Sequence, residues 1–141
     1  MKEKILDAFK ALGFELEELK GFGYGFNYEG NGYLYMQNDE DEDFLNLVVP
    51  IIWNDYDEEE RPSSELIEEV NSTLKYVKAY KMMESIWLVY ERELMGETDL
   101  TQVVGSMIIH LDAGVSFFRH LRSKDDDDEG TDTDDNKTEE E

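Results

Sequence analysis

Two histidines, several acidic runs, a set of closely spaced glycines and scattered serines are the residues whose chemistry could define this chain. His110 and His120 lie ten residues apart in a helical pattern. That spacing turns through roughly 1000°, about 80° off alignment, so they do not form the i, i+4 pair that binds zinc from one helix face. Asp39-x-Asp41-x-Asp43 opens like a calcium loop, but Phe44 stands where the turn needs glycine and Pro50 where the closing glutamate belongs. Asp125-x-Asp127-x-Glu129-Gly130 is a closer start, with Asn136 in the twelfth position. Gly21, Gly23 and Gly25 precede a strand pattern rather than opening a helix, which is not the dinucleotide fingerprint. No serine sits in a Gly-x-Ser-x-Gly elbow. With no cysteine in the sequence there is no thiolate nucleophile, disulfide or thiolate-bound zinc. The expectation is a chain without catalytic residues, metal or cofactor.

Charge is the dominant property. Across 141 residues the formal net charge is -23, from 36 acids against 13 basic residues. Such a field repels phosphate backbones and anionic lipid surfaces, so neither nucleic acid nor membrane is an expected partner. The N-terminal residues intersperse charge with apolar side chains, unlike a secretory signal, and no run approaches the ~20 apolar residues of a membrane span. These features predict a cytoplasmic protein. Hydrophobic residues still make up 40% and aromatics 12% of the chain, enough for a packed core. Residues 1–122 are expected to form one domain, and residues 123–141, with no apolar side chain to bury, a disordered acidic tail.

The elements that must position any site follow from periodicity. Ile5, Ala8, Phe9 and Leu12 make one helical stripe over 2–12, ended by Gly13. Residues 14–21 carry mixed signals and are expected to be irregular. Tyr24, Phe26 and Tyr28 alternate as a strand, Glu29-Gly30-Asn31-Gly32 supplies turn chemistry with Asn-Gly at its centre, and Tyr33–Met36 resumes a strand. Phe44–Trp53 is a third strand, interrupted near Pro50. Serine capping at 63–64 starts a second helix, with Leu66, Ile67, Val70, Leu74 and Val77 as its stripe. Two strands follow, at 78–82 and 86–91. Asp99 then caps a last helix that ends near Arg122. Gly114 lies on its apolar face, where a missing side chain allows close approach to the sheet. The fold class is α+β in the order α-β-β-β-α-β-β-α, a five-stranded, mainly antiparallel sheet packed by helices.

Such a sheet has a second face. If the helices cover Leu34, Met36, Leu45, Leu47, Val49 and Leu88, then Tyr33, Tyr35, Val48, Trp87 and Val89 point away from them. Two readings are open: the second helix covers this face, or, as large apolar groups on an exposed face do, they mark a contact surface. These five are the candidate protein-binding residues. The functional expectation is a non-enzymatic protein-binding or chaperone-like regulatory module that binds another protein and forms a homodimer. Two alternatives remain: an acidic decoy mimicking nucleic acid toward a basic protein, and an enzyme whose site has no recognisable motif.

Three segments resemble the YbjN-type (putative sensory transduction regulator) family. They are Gly25-Phe26-Asn27-Tyr28-Glu29-Gly30-Asn31-Gly32-Tyr33, then Asp43–Pro50 with Trp53, and Val70–Tyr80 with Trp87–Glu93. The resemblance implies a type III secretion chaperone-like fold, a small acidic domain that is commonly dimeric, and no known enzymatic residues. It carries no functional residue across to this chain.

Overall fold

The structure, a computed structural model, describes residues 2–36, 40–41, 43–51, 62–82, 85–96 and 99–130. The acidic loop at 55–60, most of the segment 37–42 and residues 131–141 lie outside the described residues. Asp39, which opens the first calcium-loop start, and the later positions of the second, Asn136 included, fall in those segments.

Among the described residues three helices and six strands occur: α1 (Lys2–Ala11), β1 (Glu17–Leu19), β2 (Gly23–Tyr28), β3 (Asn31–Met36), β4 (Phe44–Ile51), α2 (Ser63–Thr73), β5 (Lys78–Met82), β6 (Ser85–Glu93) and α3 (Leu100–Gly130). The strands form one antiparallel sheet in the order β1-β2-β3-β4-β6-β5. The α+β class and element order are as expected, but the sheet has six strands rather than five. The added strand, β1, falls in the segment read as irregular. It pairs with β2 at Glu17–Gly25, Glu18–Tyr24 and Leu19–Gly23, and the Phe22 N–H closes the intervening turn on the Leu19 carbonyl at 2.8 Å.

Helix ends follow local chemistry. At the end of α1, the Gly13 N–H donates to the Lys10 carbonyl (2.9 Å) and the Phe14 N–H to the Phe9 carbonyl (3.1 Å). Gly13 has φ +92°. This is a Schellman ending, which a glycine takes without strain. Asp99 caps α3, its carboxylate accepting from the Gln102 N–H at 3.0 Å. The serine cap expected for α2 does not form. Pro62 occupies the N-cap with no side-chain cap bond, and Ser63 is buried inside the first turn. The helix stops at Thr73, so Leu74 and Val77 belong to the junction with β5 rather than to the helix.

That junction is held by Asn71. Its amide donates to the Ala79 carbonyl (3.1 Å) while its oxygen accepts from the Ala79 N–H (2.6 Å). The side chain thus continues the ladder at the sheet edge. The Lys78 ammonium donates to the carbonyls of Asn71 (2.9 Å) and Leu74 (3.0 Å), a cation at the helix C-terminus where the dipole favours one.

All three helices contribute to a single core on one side of the sheet: Ile5, Ala8 and Phe9 from α1, Leu66 and Val70 from α2, and Val104, Met107, Leu111, Val115 and Phe118 from α3. They cover Leu45, Leu47, Val49, Ile86, Leu88 and Tyr90. A Cβ on Gly114 would lie 3.1 Å from Val77 Cγ1 and 3.6 Å from Leu88 Cδ1, so this glycine sets how closely α3 approaches the sheet. Leu100–Arg122 meets the length and hydropathy of a membrane span, contrary to the expectation that no segment would. Its apolar stripe is spent on the core just described.

The helix expected to stop near Arg122 continues to Gly130. Elongation of an existing helix adds a hydrogen bond per residue without a new nucleus, so polar composition alone does not stop it.

Candidate functional site

The hairpin between β2 and β3 decides which side chains reach the face opposite the described helices. Its turn residues are Glu29 (φ +52°) and Gly30 (φ +81°), and Tyr28 pairs with Asn31. The Asn31-Gly32 pair expected to form the turn lies inside β3 instead. This register sets Tyr33 opposite Phe26 and Tyr35 opposite Tyr24.

Those rings build the core beneath the helices. Phe26 and Tyr33 stack at 5.3 Å, Phe9 meets Phe26 at 5.0 Å and Tyr35 at 5.7 Å, and Phe14 meets Phe26 at 4.9 Å. Tyr33 and Tyr35 are 1% and 3% exposed. The sequence pattern predicts both on the helix-free face; both are instead core residues. Leu34 and Met36, expected under the helices, take the opposite face. The cause lies in β2: between its aromatic positions stand Gly23, Gly25 and Asn27, so only the Tyr24–Phe26–Tyr28 side has rings to bury, and the partner strand aligns its own rings with them.

The other three candidates are on the expected side. Leu34 pairs with Val48, Val48 with Val89, and Trp87 with Pro50 and Tyr80, all on the face opposite the helices. Val48 and Val89 are nonetheless only 3% and 4% exposed, because they occupy central strands flanked on both sides. They form the floor of the face. Its contact surface consists of half-buried Leu34, Met36, Phe44, Pro50 and Trp87, with Tyr80 and Met82 exposed on the edge strand. The period-2 pattern could have yielded Leu34, Met36 and Phe44 once β3 was assigned the correct parity.

Polar and charged residues share the face: Glu17, Asn27, Asn46, Lys78, Ser85, Glu91 and Glu93 stand at the same parity. The Tyr80 hydroxyl donates to the Glu91 carboxylate at 3.4 Å. Burial, then the Glu91 charge and hydrogen bond, raise the Tyr80 pKa. Over β1, β2 and β3 the face sinks into an open hollow of about 390 Å³, lined by Glu15, Glu17, Gly25, Asn27, Gly32 and Tyr33 among others.

On the helix side, His110 is half-buried. Its Nδ1 lies 2.8 Å from the Ser106 carbonyl, and its ring packs edge-on against Tyr76 (5.1 Å) and Tyr90 (5.9 Å). It is a packing histidine, separate from His120, which is exposed. The Tyr33 hydroxyl is buried without a hydrogen-bond partner among the described residues. Burial, reinforced by the charge of Asp112, pushes its pKa far above the usual phenol value.

No protein-family model and no curated protein sequence matches this chain. Among solved structures, it is similar to "Crystal structure of YbjN, a putative transcription regulator from E. coli", with a TM-score of 0.60 at 13% sequence identity over 86% of this chain and 90% of that one. The fold of this chain is YbjN-like.

Proposed function

We propose that this chain is a non-enzymatic, cytoplasmic protein-binding module of regulatory or chaperone-like type, which works as a homodimer and docks proteins on its helix-free sheet face. One observation carries the reading: a six-stranded sheet has all its described helices on one side, leaving Leu34, Met36, Phe44, Pro50, Trp87, Tyr80 and Met82 on the other. A face of this kind is stable in water only at a cost, which contact with another protein removes. The resemblance to secretion chaperones, which hold extended segments of other proteins, points the same way.

Sedimentation equilibrium of the parent and of Trp87→Asp tests it. The parent is expected to dimerise and the variant to dissociate on the order of thirtyfold more readily, the loss expected of a central aromatic anchor. Ile109→Asp, at an exposed position on the helix side, leaves the equilibrium unchanged. A parent that stays monomeric up to ~1 mM, or a variant that associates as the parent does, would count against the reading.

A further inference from the structure

The glycines beneath the hollow on the sheet face have no structural reason to be glycine. Gly25 and Gly32 both lie in strand interiors, where glycine forfeits side-chain packing and weakens the strand. Neither has the positive φ that requires it, unlike neighbouring Gly23. Nor does crowding exclude a side chain. A Cβ at Gly25 would meet Leu19 Cδ1 at 3.5 Å, Leu34 Cδ2 at 3.7 Å and the Tyr33 carbonyl at 3.8 Å, all ordinary contacts, and one at Gly32 would meet nothing within 4 Å. What a side chain at either position would do is fill the hollow. Close approach of a ligand or another backbone is one of the reasons a strand interior carries glycine.

The hollow's rim says what approaches. Glu17 pairs with Gly25 on this face, and Glu15 lines the same hollow. The Tyr33 carbonyl and the methyls of Leu19 and Leu34 flank Gly25, and Leu16 and Phe26 add apolar lining. Long basic side chains suit such a place, because their stems cover apolar surface while their heads meet carboxylates and carbonyls. The chain as a whole, at a net charge of -23, favours a positively charged partner.

We infer that the hollow over Gly25 and Gly32 receives an arginine or lysine side chain, so that the partner docked on the helix-free face is a basic, extended segment of another protein. This rests on the proposed function, since it names the chemistry of what that face binds. The half of the sheet around Trp87 remains for the second copy of the chain.

The test uses the full chain and three fluorescein-labelled octapeptides that alternate valine with arginine, glutamine or glutamate, followed by anisotropy at about physiological ionic strength. The arginine peptide is expected to bind about tenfold or more tightly than the glutamine peptide, and the glutamate peptide not at all. Gly25→Val, which leaves the net charge untouched and suits a strand, is expected to weaken the arginine peptide about tenfold, with melting no lower than the parent's. Glu15→Gln with Glu17→Gln abolishes the preference for arginine over glutamine. Should Gly25→Val fail to fold, Gly32→Ala, whose Cβ meets nothing, carries the same test. The inference is overturned if the parent ignores the arginine peptide at ~1 mM. It is overturned equally if the glycine variants bind it as the parent does, since net charge alone would then explain the attraction. Loss of all peptide binding in Trp87→Asp alongside silent glycine variants would remove the hollow and leave the docking face standing.

Discussion

Tyr33 shows how much a single side chain can weigh in this fold. Its ring is among the largest fully buried groups, yet its hydroxyl meets no partner among the described residues. A buried, unsatisfied hydroxyl costs stability, so Tyr33→Phe is expected to raise the free energy of unfolding by about 1 kcal/mol in urea titrations near neutral pH. The pH dependence has a definite sign. The folded state holds the proton past the pH, near 10.0, at which the unfolded phenol ionises. Stability is therefore complete below that pH and falls above it, by up to about 1.4 kcal/mol per pH unit for this one group. Tyr33→Phe removes that contribution, so its stability curve should be flatter than the parent's above about pH 10. A parallel pair of curves would mean that the hydroxyl is hydrated in the native state. Asn71 is the counterpart, a polar group with both bonds made. Asn71→Ala removes the two bonds to Ala79 and is expected to destabilise the chain by about 2 kcal/mol in the same titration.

At the scale of elements, periodicity was a sound guide and the choice of face was not. The stripes of α1 and α3, the Asp99 cap, the Gly13 ending and the strands read at 78–82 and 86–91, the latter found at 85–93, are legible because each is specified by residues within a turn or two of itself. The orientation of β3 was also written in the sequence, though in a less direct form. Any two-residue loop between β2 and β3, whether at 29–30 or at 31–32, pairs even-numbered β2 positions with odd-numbered β3 positions. Tyr33 and Tyr35 must then share a face with Tyr24, Phe26 and Tyr28. The expectation that helices cover Leu34 and Met36 is incompatible with that pairing. β1 was illegible for a different reason: three residues rich in glutamate have no apolar period, and only pairing with β2 makes them a strand. Gly114 gives the element-scale prediction. Gly114→Leu forces α3 away from Val77 and Leu88 and is expected to cost about 3 kcal/mol by thermal or urea unfolding. Gly105→Ala, whose Cβ would sit 3.8 Å from Leu12, is expected to be neutral or stabilising.

On the whole-molecule scale, one-sided helix packing and a large negative charge make opposing demands. The helix-free face calls for a partner, while a net charge of -23 makes a second copy of the chain electrostatically unwelcome. Self-association through apolar contacts should therefore strengthen as salt screens the repulsion, whereas capture of a basic segment should weaken. Opposite salt slopes for dimer formation and arginine-peptide binding are the expected outcome, and a shared slope would indicate that one interaction underlies both. The candidate site was half legible in the sequence. Alternation along β4 and β6 gave Val48, Trp87 and Val89 the correct face, but not the shielding of the two valines, which depends on strand order across the sheet.

The claim on which this account turns is that Leu34 and its neighbours face solvent in one copy and lose it in a contact. Methyl-labelled spectra recorded with a soluble gadolinium chelate, across a dilution series, read this directly. Broadening of the Met82 methyl, beside Trp87, is expected to diminish as protein concentration rises and that of the Leu34 methyls when the arginine peptide is added, while that of Ile109, exposed on the helix side, stays constant. Met82 and Leu34 methyls whose broadening does not change at any concentration, with or without the arginine peptide, would contradict it.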